Sequence, residues 1–193
     1  MHDQSETPTA SSPGFRYAGF ARRLKAFAFD YLFILAYILV LLGVCLGVNL
    51  AVGPLANISP LFAFPVFLDA MSFVILILPV ILYFTLQEGS SRKATWGKRK
   101  AGLRVVNASG DRLTRRQALV RSLVKLLPWQ IAHTSIYHIE GLPFAPVEPP
   151  PPVMAGFVLV YLLVGIYIAS ALISKEHRTP YDWAAGSCVI VED

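Results

Sequence analysis

The amino-acid sequence predicts an all-helical integral membrane protein: a bundle of about four membrane-embedded helices, with a basic cytoplasmic loop that carries a short β-hairpin. Three observations lead there. Of 193 residues, 55% are hydrophobic and only 15% charged, far from the balance of an ordinary soluble domain. The apolar residues gather in runs of about 20, long enough at roughly 1.5 Å per residue to cross a hydrocarbon core of about 30 Å. The basic residues avoid those runs: none lies between Lys25 and Arg92, and none between Lys125 and Lys175. The formal net charge of +5 therefore reads as positive-inside topology rather than as a nucleic-acid partner.

Residues 1–14 are polar and rich in Ser, Thr and Pro, with nothing apolar to bury, and are expected to form a disordered tail ahead of a membrane domain over 15–193. They lack the basic start, apolar stretch and cleavage site of a signal peptide, so the first span is expected to act as an uncleaved anchor. That span is predicted over Ala26–Val48. Arg16, Arg22, Arg23 and Lys25 precede it and an uncharged stretch follows it, which places the N-terminus in the cytoplasm.

The second span is predicted over Pro65–Leu86, kinked at Pro79, with neighbouring groups satisfying the carbonyl that the proline frees. After Glu88 come Arg92, Lys93, Lys98, Arg99, Lys100, Arg104, Arg112, Arg115 and Arg116, so this loop belongs in the cytoplasm. Within it, Leu103–Val106 and Arg112–Leu113 flank the turn-forming run Asn107–Asp111, the pattern of a small hairpin. Residues 117–139 mix Arg121, Lys125, Pro128, Gln130, His133 and His138 with apolar positions; an interfacial helix or a poor span both fit. The proline-rich stretch from Gly141 to Pro152 is expected to be an extended spacer. The last span is predicted over Val153–Ile173, with Lys175 and Arg178 directly after it. Those two cations call for a cytoplasmic C-terminus, which requires residues 117–139 to cross or re-enter.

Among residues that carry chemistry, Asp30 is the sharpest, since it lies about one turn inside the first span, where an ionised carboxylate is costly and usually faces the protein interior. Arg23 is two helical turns earlier on the same face, too distant for a direct pair. Asp182, in the run KEHRTPYDWAAG, is a candidate partner for Arg23 or for the basic loop. Asp69 falls about one turn into the second span and is expected to snorkel outward or cap the helix start, with a shared cavity with Asp30 as the alternative. His133 and His138 are five apart, the wrong spacing for a helical metal site. Gly97-Lys98 resembles the end of a phosphate loop, but Arg92 stands where a glycine is required and Arg99 where Ser or Thr is. Cys45 and Cys188 are far apart and lack ligand spacing. Gly43 with Gly47, and Gly165 with Ala169, are small pairs suited to close helix packing. No cofactor or metal is called for.

Three blocks, AGFARRLKAFAFDYL, TWGKRKAGLRVVNASGDRL and RTPYDWAAGSCVIV, resemble the RDD family of multi-pass membrane proteins, named for an arginine and two aspartates. The resemblance runs in order over residues 18–191. It implies that the arginine is Arg23 and the aspartates Asp30 and Asp182, and that Gly97, Lys98, Gly102, Leu103, Arg104 and Val105 are the loop signature. Tyr181 and Ser187 depart from the family's usual His and Thr, and the proline-rich insertion is a third departure. The resemblance implies transport of a small ligand, cation exchange being one suggestion. The expected function is thus a small transporter or cation/proton exchanger in the plasma membrane, for a bacterial cell the inner one. The alternative is a non-transporting scaffold or accessory subunit. Expected partners are anionic lipid headgroups at the basic loop, at roughly 1 kcal/mol per basic residue, and a second copy of the chain. An enzymatic role is not expected, because no nucleophile, base and orienting group recur at usable spacing.

Overall fold

The computed structural model describes residues 14–53, 64–141 and 147–192; almost all of the polar tail, the loop after the first span and residues 142–146 of the proline-rich stretch lie outside them. Helix α1 (Phe20–Val52) runs beyond both predicted limits of the first span. The second span is α2 (Pro65–Ser72), a π-helical segment (Phe73–Ile77) and α3 (Leu78–Glu88) in continuous succession. A short helix α4 (Trp96–Lys100) and strand β1 (Leu103–Asn107) follow. Helices α5 (Arg115–Tyr137) and α6 (Pro151–Ile173), the short α7 (Pro180–Ala184) and strand β2 (Ser187–Val191) complete the chain. Among the described residues, three helices are long and apolar enough to cross a membrane: Phe20–Ala51, Pro65–Glu88 and Pro151–Ile173. The chain is thus mostly helical, with a two-stranded sheet.

The prolines inside the long helices explain two of the contacts between them. Proline has no N–H, so the carbonyl four residues earlier loses its helical donor. For Pro79 that carbonyl belongs to Ile75, and the Tyr37 hydroxyl of α1 donates to it at 2.6 Å. For Pro128 it belongs to Val124, and the Tyr167 hydroxyl of α6 donates at 2.6 Å. Each helix irregularity is therefore closed by a tyrosine from a neighbouring helix. A Cβ on Gly156 would collide with the Ser135 hydroxyl and lie 3.4 Å from its Cβ. The Val124–Tyr167 and Ser135–Gly156 contacts set α5 and α6 antiparallel, side by side. A Cβ built on Gly43, Gly47 or Gly165 would meet no atom of a neighbouring element within 4 Å among the described residues, so these small residues pack against no other helix there.

On its other side α5 lies against the second span, with Leu126 packed among Ile77, Ile81 and Phe84. Its start is fixed by a capping box: Gln117 N–H donates to Thr114 Oγ1, and Thr114 N–H to Gln117 Oε1.

The expected hairpin is corrected. The turn exists, with Asn107 Oδ1 accepting from the N–H groups of Ser109 and Asp111, but the residues after it form no strand and lead into the Thr114 cap. Strand β1 pairs instead with the distant β2, antiparallel, with Leu103 opposite Val191 and Val105 opposite Val189. The segment Arg16–Ala18 pairs with the other edge of β2. The buried side chains of this sheet, Leu103, Val105 and Val189, form a small core with Ala18, Ala26, Leu113 and Ala118. The proline-rich stretch is also shorter as a spacer than expected. Pro150 has the backbone of an extended chain, but Pro151 and Pro152 open α6, the positions where a missing N–H costs nothing.

Candidate functional site

The candidate side chains lie in three groups. The first surrounds Asp30, which is 1% exposed. Its Oδ2 accepts from Thr95 Oγ1 at 2.6 Å, and its Oδ1 accepts from Gly97 N–H at 2.8 Å and Tyr83 Oη at 2.8 Å. Thr95 in turn caps α4, accepting from Lys98 N–H. The carboxylate therefore fastens the start of α4 to the middle of α1's first turns, using three neutral donors. A side chain at position 97 would place a Cβ 2.7 Å from both Asp30 Cγ and Asp30 N, and against the Ala26 carbonyl, so glycine is required there by contact. Gly102 is required by conformation: its φ of +65° turns the chain from α4 into β1.

The second group is a buried ion network at the same, basic end. Asp182 sits at the third position of α7, where Thr179 N–H and Oγ1 donate to its Oδ2 at 3.1 and 2.8 Å. Arg23 Nη1 donates to the same oxygen at 2.7 Å. Arg121 donates to Oδ1 through Nε at 3.0 Å and Nη2 at 2.7 Å. Arg121 also donates through Nη1 to Glu88 Oε2, so one guanidinium bridges two acids. Lys98 Nζ reaches Glu88 Oε1 at 2.8 Å, and Lys125 Nζ lies 3.9 Å from it, above the Phe84 ring. Glu88, Arg121 and Asp182 are all essentially buried. Burial opposes ionisation of Asp182, but Arg121 and Arg23 together hold its carboxyl well below the usual carboxylate range.

The third group lies toward the other end of the second span. Asp69 Oδ1 accepts from Gln130 Nε2 at 3.0 Å and Thr134 Oγ1 at 2.8 Å. Asp69 is the fifth residue of α2, whose cap is Phe64, so it neither caps the helix nor turns outward; it is held by α5. His133 and His138 direct Nδ1 to carbonyls of their own helix, those of Trp129 and Thr134. Arg104, of the loop signature, is exposed on β1 beside Glu192.

The structure thus joins Arg23 to Asp182 directly and gives Asp30 separate partners. It places Asp30 and Asp69 in different groups. Sequence reasoning singled out neither Glu88 nor Arg121 as a network residue. The available signal was their position, an acid ending one apolar run and an arginine just inside the next helix, but no local pattern pairs residues 33 apart.

Long apolar helices tied by buried polar groups, with their basic loop and C-terminal strand folded into one small sheet, define a multi-pass helical membrane protein. Within that class the chain belongs to the RDD family, whose sequence profile matches residues 17–186. That match contains Arg23, Asp30, Asp182 and the loop from Gly97 to Val105. Comparison with curated proteins and with solved structures finds no match.

Proposed function

We propose that this protein exchanges a small cation for protons across the plasma membrane, along the interface between the second span and α5. The observation that carries the reading is the distribution of polar groups on that interface. Asp69, Gln130 and Thr134 lie near one end, Glu88, Arg121, Lys98 and Lys125 at the other, and Ile77, Ile81, Phe84 and Leu126 fill the space between. Asp69 and Glu88 are 19 residues apart, about 28 Å along a helix, close to the thickness of a hydrocarbon core. The backbone is irregular in the apolar middle, at the π-helical segment and at Pro79 and Pro128. Intramembrane acids commonly mark ion paths, and π segments commonly mark functional sites.

In this reading α5 is a fourth membrane-embedded segment. The support is that Tyr167 of α6 donates to the carbonyl that Pro128 frees in α5, and that α5 lies along α6 and the second span. Four segments put both termini and the 87–116 loop in the cytoplasm, where the positive-inside bias of the loop places them. The exposed basic residues of the loop rest on anionic headgroups, and a second copy packs on the Gly43–Gly47 face of α1.

Exchange is tested in proteoliposomes carrying a pH-sensitive dye, with pulses of Na⁺, K⁺ or Li⁺. Wild type is expected to move protons in response to at least one cation, and Asp69→Asn, at equal incorporation, to lose that response. Silence of the wild type toward all three would overturn the reading. A second reading, a non-transporting scaffold, draws on the saturation of Asp30, Asp182 and Glu88 by protein donors. It predicts that Asp30→Asn lowers the amount of folded protein and that no variant alters flux.

A further inference from the structure

The Asp69 group holds more oxygen than its hydrogen bonds use. Asp69 Oδ1 takes both donors, from Gln130 and Thr134, and Gln130 Nε2 also reaches Thr134 Oγ1 at 3.2 Å. Two further oxygens, Ser72 Oγ and Gln130 Oε1, are buried with no hydrogen-bond partner among the described residues. Ser72 is 5% exposed and lies three residues after Asp69, on the same helix face. Gln130 and Thr134 are four apart on the facing α5. Buried polar atoms are normally satisfied; Arg23 Nη2 and Thr85 Oγ1 are also unpaired among the described residues, but these two oxygens belong to a residue one helical turn from Asp69 and to one that donates to it, and require an account.

We propose that Asp69, Ser72, Gln130 and Thr134 form a binding site for a small monovalent cation of the Na⁺ or Li⁺ class. All four residues offer oxygen, the donor type that hard cations take. Only one of the four carries a formal charge, so a single positive charge makes the site neutral, whereas a divalent ion would leave a net charge in a low-dielectric setting. Rotation of the Gln130 amide exchanges its N and O positions, which turns a donor to Asp69 into a carbonyl ligand and ends the isolation of Oε1. The backbone enters its π-helical segment at Phe73, directly after Ser72, and irregular helix beside a membrane ion site is a recurring arrangement.

This site deepens the exchange reading and rests on it for its role, but binding is measured without flux. Purified protein in detergent is titrated with ²²Na⁺ at equilibrium, with unlabelled Na⁺, Li⁺, K⁺ and choline as competitors. The expected result is one saturable site per chain, displaced by Na⁺ or Li⁺ and not by choline. Asp69→Asn abolishes it, Ser72→Ala and Thr134→Val each weaken it by about tenfold, and Asp111→Asn in the exposed loop leaves it unchanged. Size-exclusion profiles select variants that remain folded, and the two milder substitutions carry the test if Asp69→Asn does not. No saturable binding in the wild type, as a site holding only water would give, overturns the proposal. So does binding that is unaltered in the folded variants. Binding without cation-driven proton movement overturns the exchange reading alone; exchange with binding unaltered by these substitutions overturns the site alone.

Discussion

Replacing Tyr167 by phenylalanine removes one oxygen atom and leaves the ring in place, yet it should destabilise the helix bundle measurably. The hydroxyl donates at 2.6 Å to the Val124 carbonyl, which has no helical donor because residue 128 is proline. A buried carbonyl left unpaired costs about 1–3 kcal/mol, and hydrogen bonds measured between membrane helices average about 0.6 and reach about 1.7 kcal/mol. The expected loss is therefore about 1–2 kcal/mol. Pro128→Ala restores an N–H four residues after Val124, so the carbonyl regains a partner inside α5. In that background Tyr167→Phe should cost less than half as much. The assay is reversible unfolding in mixed micelles, followed by far-ultraviolet circular dichroism for the four members of the cycle. An equal cost of Tyr167→Phe in both backgrounds would refute the idea that the tyrosine compensates for the proline.

Three further predictions concern the basic end. Gly97→Ala puts a Cβ 2.7 Å from Asp30 Cγ and should displace α4 from α1, lowering the yield of monodisperse protein, whereas Gly165→Ala, whose Cβ would meet nothing within 4 Å, should leave it unchanged. Arg121→Met leaves Glu88 and Asp182 without their shared cation and should cost about 3–5 kcal/mol in the same unfolding assay; a loss below 1 kcal/mol would contradict the network. The Asp182 carboxyl is held below its ordinary value by Arg121 and Arg23 despite its burial. A depressed folded-state value contributes stability that is present above the unfolded value of about 3.9 and lost as pH falls through the folded one. Thermal stability should therefore hold from pH 7 to about pH 4 and fall below it, and Asp182→Asn should flatten that acid limb.

The long elements were legible because burial in lipid imposes a length and a composition on a continuous run of sequence. α1, the second span and α6 all begin or end within a few residues of their apolar limits, and Pro79 announced a carbonyl needing an outside donor. The donor itself, Tyr37, was not legible, since nothing local distinguishes it from the other aromatics of α1. The same limit applies to β1. Its β-prone residues and the Asn107–Asp111 turn favour a local hairpin, but its partner lies across two long helices, where the buried faces of Leu103 and Val189 fit together. At the site, Asp30 was conspicuous because a carboxylate inside an apolar run is expensive, but that cost does not say what repays it. Arg23, the cation on its face, pairs with Asp182 instead, and a threonine, a tyrosine and a backbone N–H provide the donors to Asp30. Arg121 and Glu88 were hidden for the opposite reason: at the edge of a basic loop a charge is ordinary, and only the packing of α5 on α3 buries both.

The central claim is that α5, polar as it is, crosses the membrane beside the second span, so that the Asp69 and Glu88 groups lie toward opposite sides. Single-cysteine labelling tests this most directly, in a background of Cys45→Ser and Cys188→Ser, with an impermeant maleimide applied to right-side-out and inside-out vesicles. Ser109→Cys reports the loop before α5, and His138→Cys reports the residue that caps its far end. The account predicts that Ser109→Cys labels only in inside-out vesicles and His138→Cys only in right-side-out ones. Labelling of both from the cytoplasmic side would make α5 a re-entrant or surface helix and contradict the proposed path.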